Sequence, residues 1–196
     1  MPQIVYAVFL VLALSVSFPV HASPTLVQRA LQALQGGGAE VVAAPASIEV
    51  AFSPGGGATD LVVKTIGAAR QSILVAAYSF TSRPIAKALI LAHQAGIDVK
   101  VVVDHSQIQK TSHSMVGALV LAKIPLRVDI VHAIQHDKYM VIDGKTVETG
   151  SFNYTAAAEQ HNSENVLVLL DDPKLAAAYG DNWKNLWDQA ESYNGQ

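Results

Sequence analysis

The chain has 196 residues, 51% of them hydrophobic, and a formal net charge of −3. That size suits one domain with an ordinary core, and the absence of cysteine excludes disulfides, thiolate nucleophiles and cysteine-ligated zinc. The acidic excess lies in residues 171–196, which hold five acids against two bases. The remainder is neutral, so composition offers no basic signature of a nucleic-acid binder, although a local groove can still be basic.

Ile4 to Val20 is apolar except for Ser15, Ser17 and Pro19, and Val20-His21-Ala22 places small or apolar residues where a signal peptidase reads. The pattern predicts a signal peptide over residues 1–22, cleaved after Ala22. A periplasmic or secreted protein with no stable membrane association follows. The segment before the apolar run has no Lys or Arg, and the alternative is an uncleaved anchor. Against that, the run is shorter than the ~20 residues a spanning helix needs, and it contains Pro19.

Residues 23–47 predict a short helix (Thr25 to Leu34), a break at Gly36-Gly37-Gly38 and a linker. One domain then fills 48–196. Strands are expected at 48–53, 73–80, 99–104 and 126–131, with helices at 59–70, 83–95 and 115–123 between them. Pro84 stands in the first turn of the second helix and Gly96 at its stop. This alternation implies an α/β fold whose mixed, largely parallel sheet is flanked by helices. Asp143-Gly144 between two apolar runs is a hairpin signal, joining strands 138–142 and 145–151. A strand at 165–170 and an amphipathic helix at 173–191 complete the chain, with Trp183 and Trp187 on one helix face, expected in the core.

A two-residue turn at Asp143-Gly144 pairs Met140 with Val147, Lys138 with Thr149 and His136 with Ser151. Directly opposed residues, and residues two apart on a strand, share a face. His136, Lys138, Ser151 and Asn153 should therefore project together, an imidazole beside an ammonium, a hydroxyl and an amide. Such a set holds one nucleophile or base and three groups able to bind an anion's oxygens. A phosphoryl group fits it, and no metal or other cofactor is required. Asp143 falls at the turn, about 17–20 Å along an extended strand from His136, which gives it a structural role.

His136-Asp137-Lys138 through Asp143 matches His-x-Lys-x4-Asp, Gly150-Ser151-Phe152-Asn153 matches Gly-Ser-x-Asn, and Glu164-Asn165 opens the next strand. On these motifs the chain resembles the phospholipase D superfamily, over roughly residues 48–190, and its small single-motif bacterial endonucleases in particular. The resemblance implies that His136 attacks phosphorus and forms a phosphohistidine. It implies that Lys138, Ser151 and Asn153 bind the non-bridging oxygens, and that Glu164 accepts the other imidazole N–H. It also implies a phosphodiesterase acting on DNA or RNA without metal. Two histidines are needed, one to attack and one to protonate the leaving oxygen. With one motif per chain, the second His136 is expected from an identical subunit across a two-fold axis. The competing classes are a phospholipase or phosphatidyl transferase, which needs an apolar acyl groove, and a non-catalytic nucleic-acid-binding module, which does not need the intact polar set. Of the other histidines, His93, His105, His113, His132 and His161 read as surface or helix-end residues, the alternative for His105, with Gln107, being that it lines the cleft. Gly55-Gly56-Gly57 reads as a plain turn.

Overall fold

The computed structural model describes residues 47–109 and 114–195. The expected leader over 1–22, the helix over Thr25–Leu34 with its linker, and His113 lie outside the described residues. In chain order the elements are β1 (Ser47–Ser53), α1 (Ala58–Gly67), β2 (Ser72–Ala77), α2 (Arg83–Gln94), β3 (Asp98–Asp104), α3 (Ser106–Gln109), α4 (Val116–Leu121), β4 (Leu126–Asp129), β5 (Lys138–Ile142), β6 (Thr146–Gly150), α5 (Ala156–Gln160), β7 (Glu164–Leu170), α6 (Pro173–Gln189) and β8 (Glu191–Ser192). The strands form one mixed sheet in the order β1-β7-β6-β5-β2-β3-β4-β8. Among the strands of the sheet, parallel pairing is confined to β2–β3 and β3–β4. That is less than the expected largely parallel sheet, because β5, β6, β7 and β1 pair antiparallel.

Helices cover both faces. On one, Val62 and Ile66 of α1, Ile85 and Leu89 of α2 and Leu119 of α4 bury against Ile73, Val75, Val101, Val103 and Met140. On the other, Ala176, Trp183 and Leu186 of α6 pack on Ala76, Val102, Tyr139, Val141 and Val147. Asp172 starts α6 by accepting the Leu175 amide hydrogen, with Pro173 in the first turn. Trp183 is buried and donates its indole N–H to the Val75 carbonyl at 2.9 Å, and Trp187 stacks on it at 4.9 Å. Among the strands, α6 crosses β2, β4, β5 and β6. Beyond it the sheet continues through Leu167 of β7 to Val50 of β1, and Ile48, Val50 and Phe52 stay exposed.

The hairpin differs from its expected register. Asp143 and Gly144 both have positive φ (52° and 62°), and Lys145 donates its N–H to the Ile142 carbonyl at 3.1 Å, as a two-residue turn requires. Yet Ile142 pairs with Thr146, Met140 with Glu148 and Tyr139 with Thr149. Lys145 is an extra residue, a bulge. It is drawn towards the start of α6, where its carbonyl accepts the Asp172 N–H at 2.7 Å and its ammonium meets Asp171 at 2.7 Å. The expected pairings of Met140 with Val147, Lys138 with Thr149 and His136 with Ser151 are thereby replaced. A one-residue slip exchanges the faces of β6. Val147 turns to α6, and Glu148 turns into the opposite core beside Met140 and Val168.

Candidate active site

A cavity of about 800 Å³ opens on the α6 side of the sheet, at the end where β5 begins and β6 ends. His136, Lys138, Ser151, Asn153 and Glu164 all line it. The register slip does not scatter them, because the chain leaves β6 at Gly150 and Ser151 and Asn153 lie beyond the ladder. Gly150 is what lets this loop approach: a Cβ there would stand 2.2 Å from the Asn165 carbonyl oxygen.

His136 is exposed in the loop before β5, and Tyr78 beyond β2 holds its ring at 4.6 Å between centroids. The Lys138 ammonium lies 2.9 Å from His136 Nδ1, donates to the His136 carbonyl at 2.5 Å, and stands 5.3 Å from the centre of the Tyr78 ring. An ammonium only donates, so Nδ1 is the acceptor and Nε2 is the nitrogen that carries hydrogen in the neutral ring. Burial pushes the Lys138 pKa below its ordinary value, against the opposing pull of Asp137 and Glu164.

Glu164 does not meet the imidazole of its own chain. Its two oxygens accept from the Ser151 hydroxyl at 2.6 Å and the Asn162 amide at 3.0 Å. Asn153 Oδ1 is buried without a hydrogen-bond partner among the described residues. Asp143 lies at the far end of β5, where its carboxylate accepts the backbone N–H groups of Arg70, Gln71 and Ser72 at 2.7–3.1 Å. Burial pushes its pKa up, but these amides and Lys145 outweigh it and hold the group below the usual carboxylate range. His105 and Gln107 do not line the cavity: Gln107 is buried and accepts the Phe80 N–H, and His105 lies 3.7 Å from Asp104. Gly55 to Gly57 turn the chain from β1 into α1.

The opposite wall was not foreseen. Tyr139 and Thr149 from the sheet, and Ala178, Tyr179 and Asn182 from α6, line the same cavity. The spacing of Ala178, Tyr179 and Asn182 by one and four positions on a helix was the available signal. Tyr78 falls in the strand expected at 73–80 and belongs to none of the motifs that mark the site.

The family described as cardiolipin synthase, PLD-like domain, matches residues 62–187. The chain belongs to the phospholipase D family. It is a phosphodiester hydrolase by that membership. A phospholipase D of Rickettsia bellii is 41% identical over 136 residues, 69% of this chain and 67% of that protein. A mitochondrial cardiolipin hydrolase of Xenopus laevis is 34% identical over 136 residues, 68% of this chain and 63% of that protein. The chain thus spans about two thirds of the length of these relatives. The crystal structure of Nuc, a phospholipase D family member from Salmonella typhimurium, superposes with a TM-score of 0.72 at 43% identity, covering 76% of this chain and 99% of that one.

Proposed function

We propose that this phosphodiesterase is a metal-independent endonuclease that cleaves DNA, or RNA, through a covalent phosphohistidine on His136. The observation that carries this is the convergence of His136, Lys138, Ser151, Asn153 and Glu164 on one cavity. Correspondence with 99% of Nuc supports the small single-domain type within the family.

A phosphodiester entering the cavity draws the Lys138 ammonium from His136 Nδ1 to its non-bridging oxygens. Asn153 and Ser151 share that charge. With Nδ1 freed, the imidazole hydrogen moves by exchange through solvent from Nε2 to Nδ1, leaving the lone pair on Nε2. Nε2 attacks phosphorus and forms an N–P bond as the P–O bond to the leaving group breaks, and a second imidazolium protonates that oxygen. Water, deprotonated by the same second imidazole, then displaces His136 and releases a phosphomonoester. The second imidazole comes from an identical chain in a homodimer. Because Glu164 is not bonded to the imidazole of its own chain, it takes the Nδ1–H across the two-fold axis. The exposed apolar face at Ile48, Val50 and Phe52, which reaches the Glu164 end of β7 at Phe52, suits such a subunit contact. With a leader removed after Ala22, the enzyme works in the periplasm or outside the cell.

The same exposed apolar residues also suit a lipid surface, and two relatives carry lipid-hydrolase names. The test sets plasmid DNA against cardiolipin vesicles, each with purified protein in excess EDTA. DNA cleavage that survives the chelator supports the proposal. Vesicle turnover without DNA cleavage, or cleavage restored only by a divalent metal, overturns it.

A further inference from the structure

The cavity is larger than the phosphate chemistry requires. At about 800 Å³ it lies within the range of roughly 300–1,000 Å³ typical of sites for whole small molecules. His136, Lys138, Ser151, Asn153 and Glu164 occupy one wall. The other is built by α6 and consists of an aromatic ring, a carboxamide and the small Ala178. These groups have no part in the phosphoryl transfer.

Their arrangement is specific. Tyr179 is half-buried and meets the buried Tyr139 ring edge-to-face at 5.0 Å, 77° between planes, which fixes its orientation. Asn182, three positions along α6, is exposed, and its Oδ1 accepts the Tyr139 hydroxyl at 2.6 Å. Tyr139 is the donor in that bond, and burial pushes its pKa above the ordinary value, so the phenol keeps its hydrogen. The carboxamide turns its oxygen to the phenol. Oδ1 is taken, and Nδ2, with no hydrogen bond among the described residues, is left as a donor at the cavity rim.

Resting on the nuclease reading, we propose that Tyr179 and Asn182 form a nucleobase subsite: the base flanking the scissile phosphate stacks on Tyr179 and accepts a hydrogen bond from Asn182 Nδ2. Every nucleobase has a π face and at least one ring-edge acceptor, so a single donor beside an aromatic ring holds any of them without reading sequence. An acyl chain has neither an acceptor for Nδ2 nor a use for the Tyr139–Asn182 hydrogen bond. A base reaches the ring only when it has left its own stack, so the subsite takes single strands in preference to duplex. Trp183 on the same helix is no stacking platform, because the core buries it.

The test uses the full chain and short single-stranded oligodeoxynucleotides in which one linkage is a phosphodiester and the rest are methylphosphonates. In a second set the base on one side of the cleavable linkage, or on the other, is removed. Stacking is worth about 1–3 kcal/mol per base, which corresponds to a KM raised roughly 5- to 150-fold in the wild type when the base on the occupied side is missing. Tyr179→Ala raises KM for the intact oligonucleotide by about the same factor. On the base-free substrate it adds little further, because ring and base are one interaction. Tyr179→Phe, which keeps the ring, restores the wild-type KM and controls for folding. If the wild type cleaves intact and base-free oligonucleotides with equal KM, or if Tyr179→Ala penalises both equally, the subsite is refuted while the nuclease reading stands. If the wild type cleaves plasmid DNA but none of the oligonucleotides, the subsite is overturned and the nuclease reading stands; if it cleaves neither, both are overturned.

Discussion

The Tyr154 hydroxyl donates a 2.6 Å hydrogen bond to Glu148, a carboxyl that the bulge at Lys145 has turned into the core with 1% of its surface exposed. Burial raises the Glu148 pKa to about 8, although the Tyr154 bond pulls the other way. The folded protein therefore keeps a proton that the unfolded chain loses above about 4.5. Its contribution to stability is full below the unfolded value and is lost as pH rises from about 4.5 to about 8. Across that window stability falls steadily as pH rises. Glu148→Gln removes this slope. Thermal melts should show the wild-type midpoint falling between pH 5 and 8 relative to the variant, whose profile is flatter. Parallel profiles would mean that Glu148 is already ionised in the fold.

His136→Ala should abolish turnover and leave the melting temperature close to wild type, since the side chain is exposed. A phosphoenzyme trapped by acid quench should disappear with it. Mixing His136→Ala with wild type should depress activity below the wild-type share, because mixed dimers lack either attacker or acid. Activity that follows the wild-type share alone, with a monomer in sedimentation, would rule out the shared site.

Gly150→Ala should damage both fold and activity. The added methyl meets the Asn165 backbone, not a flexible side chain, so β6 and β7 must part where Ser151 and Asn153 enter the cavity. Overpacking of this kind costs about 1–3 kcal/mol. Chemical denaturation should show that loss, with kcat reduced in the fraction that remains folded.

Asp143→Ala should act on stability alone. It leaves three backbone N–H groups without their carboxylate, at a cost of about 1–3 kcal/mol, moderated because water reaches this turn. The native carboxyl is held below its usual range, so its contribution is present above the unfolded value of 3.8 and is lost as pH falls through the folded one. Denaturation curves for the variant should converge with wild type in strong acid. A fall in kcat at neutral pH in the fully folded variant would instead give Asp143 a part in the chemistry.

The sequence made the alternating core elements legible because Val99 to Val103, Ile73 to Ala77 and the helices between them carry their periodicity openly. The polar set was legible through motif spacing. Two things were hidden. The bulge at Lys145 depends on Asp171 and Asp172, some 26 residues away, and no local pattern announces such a contact. The aromatic wall of the cavity depends on where α6 crosses the sheet, which is decided by Trp183 and Leu186 packing on Ala76 and Val102. Short elements also escaped: α5 starts at the Thr155 side-chain cap, and β8 is two residues paired with β4.

His136 and Asp143 are the first and last letters of one motif, and strand β5 keeps them apart. One end of the strand is open to the cavity, and the other is tied by three amides to the chain entering β2. The interval between them is therefore a gauge. It measures the strand from a fixed mooring to the point where the imidazole must stand. Removing one residue from β5 would leave the mooring in place and turn Lys138 to the opposite side of the sheet, so the length of the motif is as much a part of the catalyst as its letters.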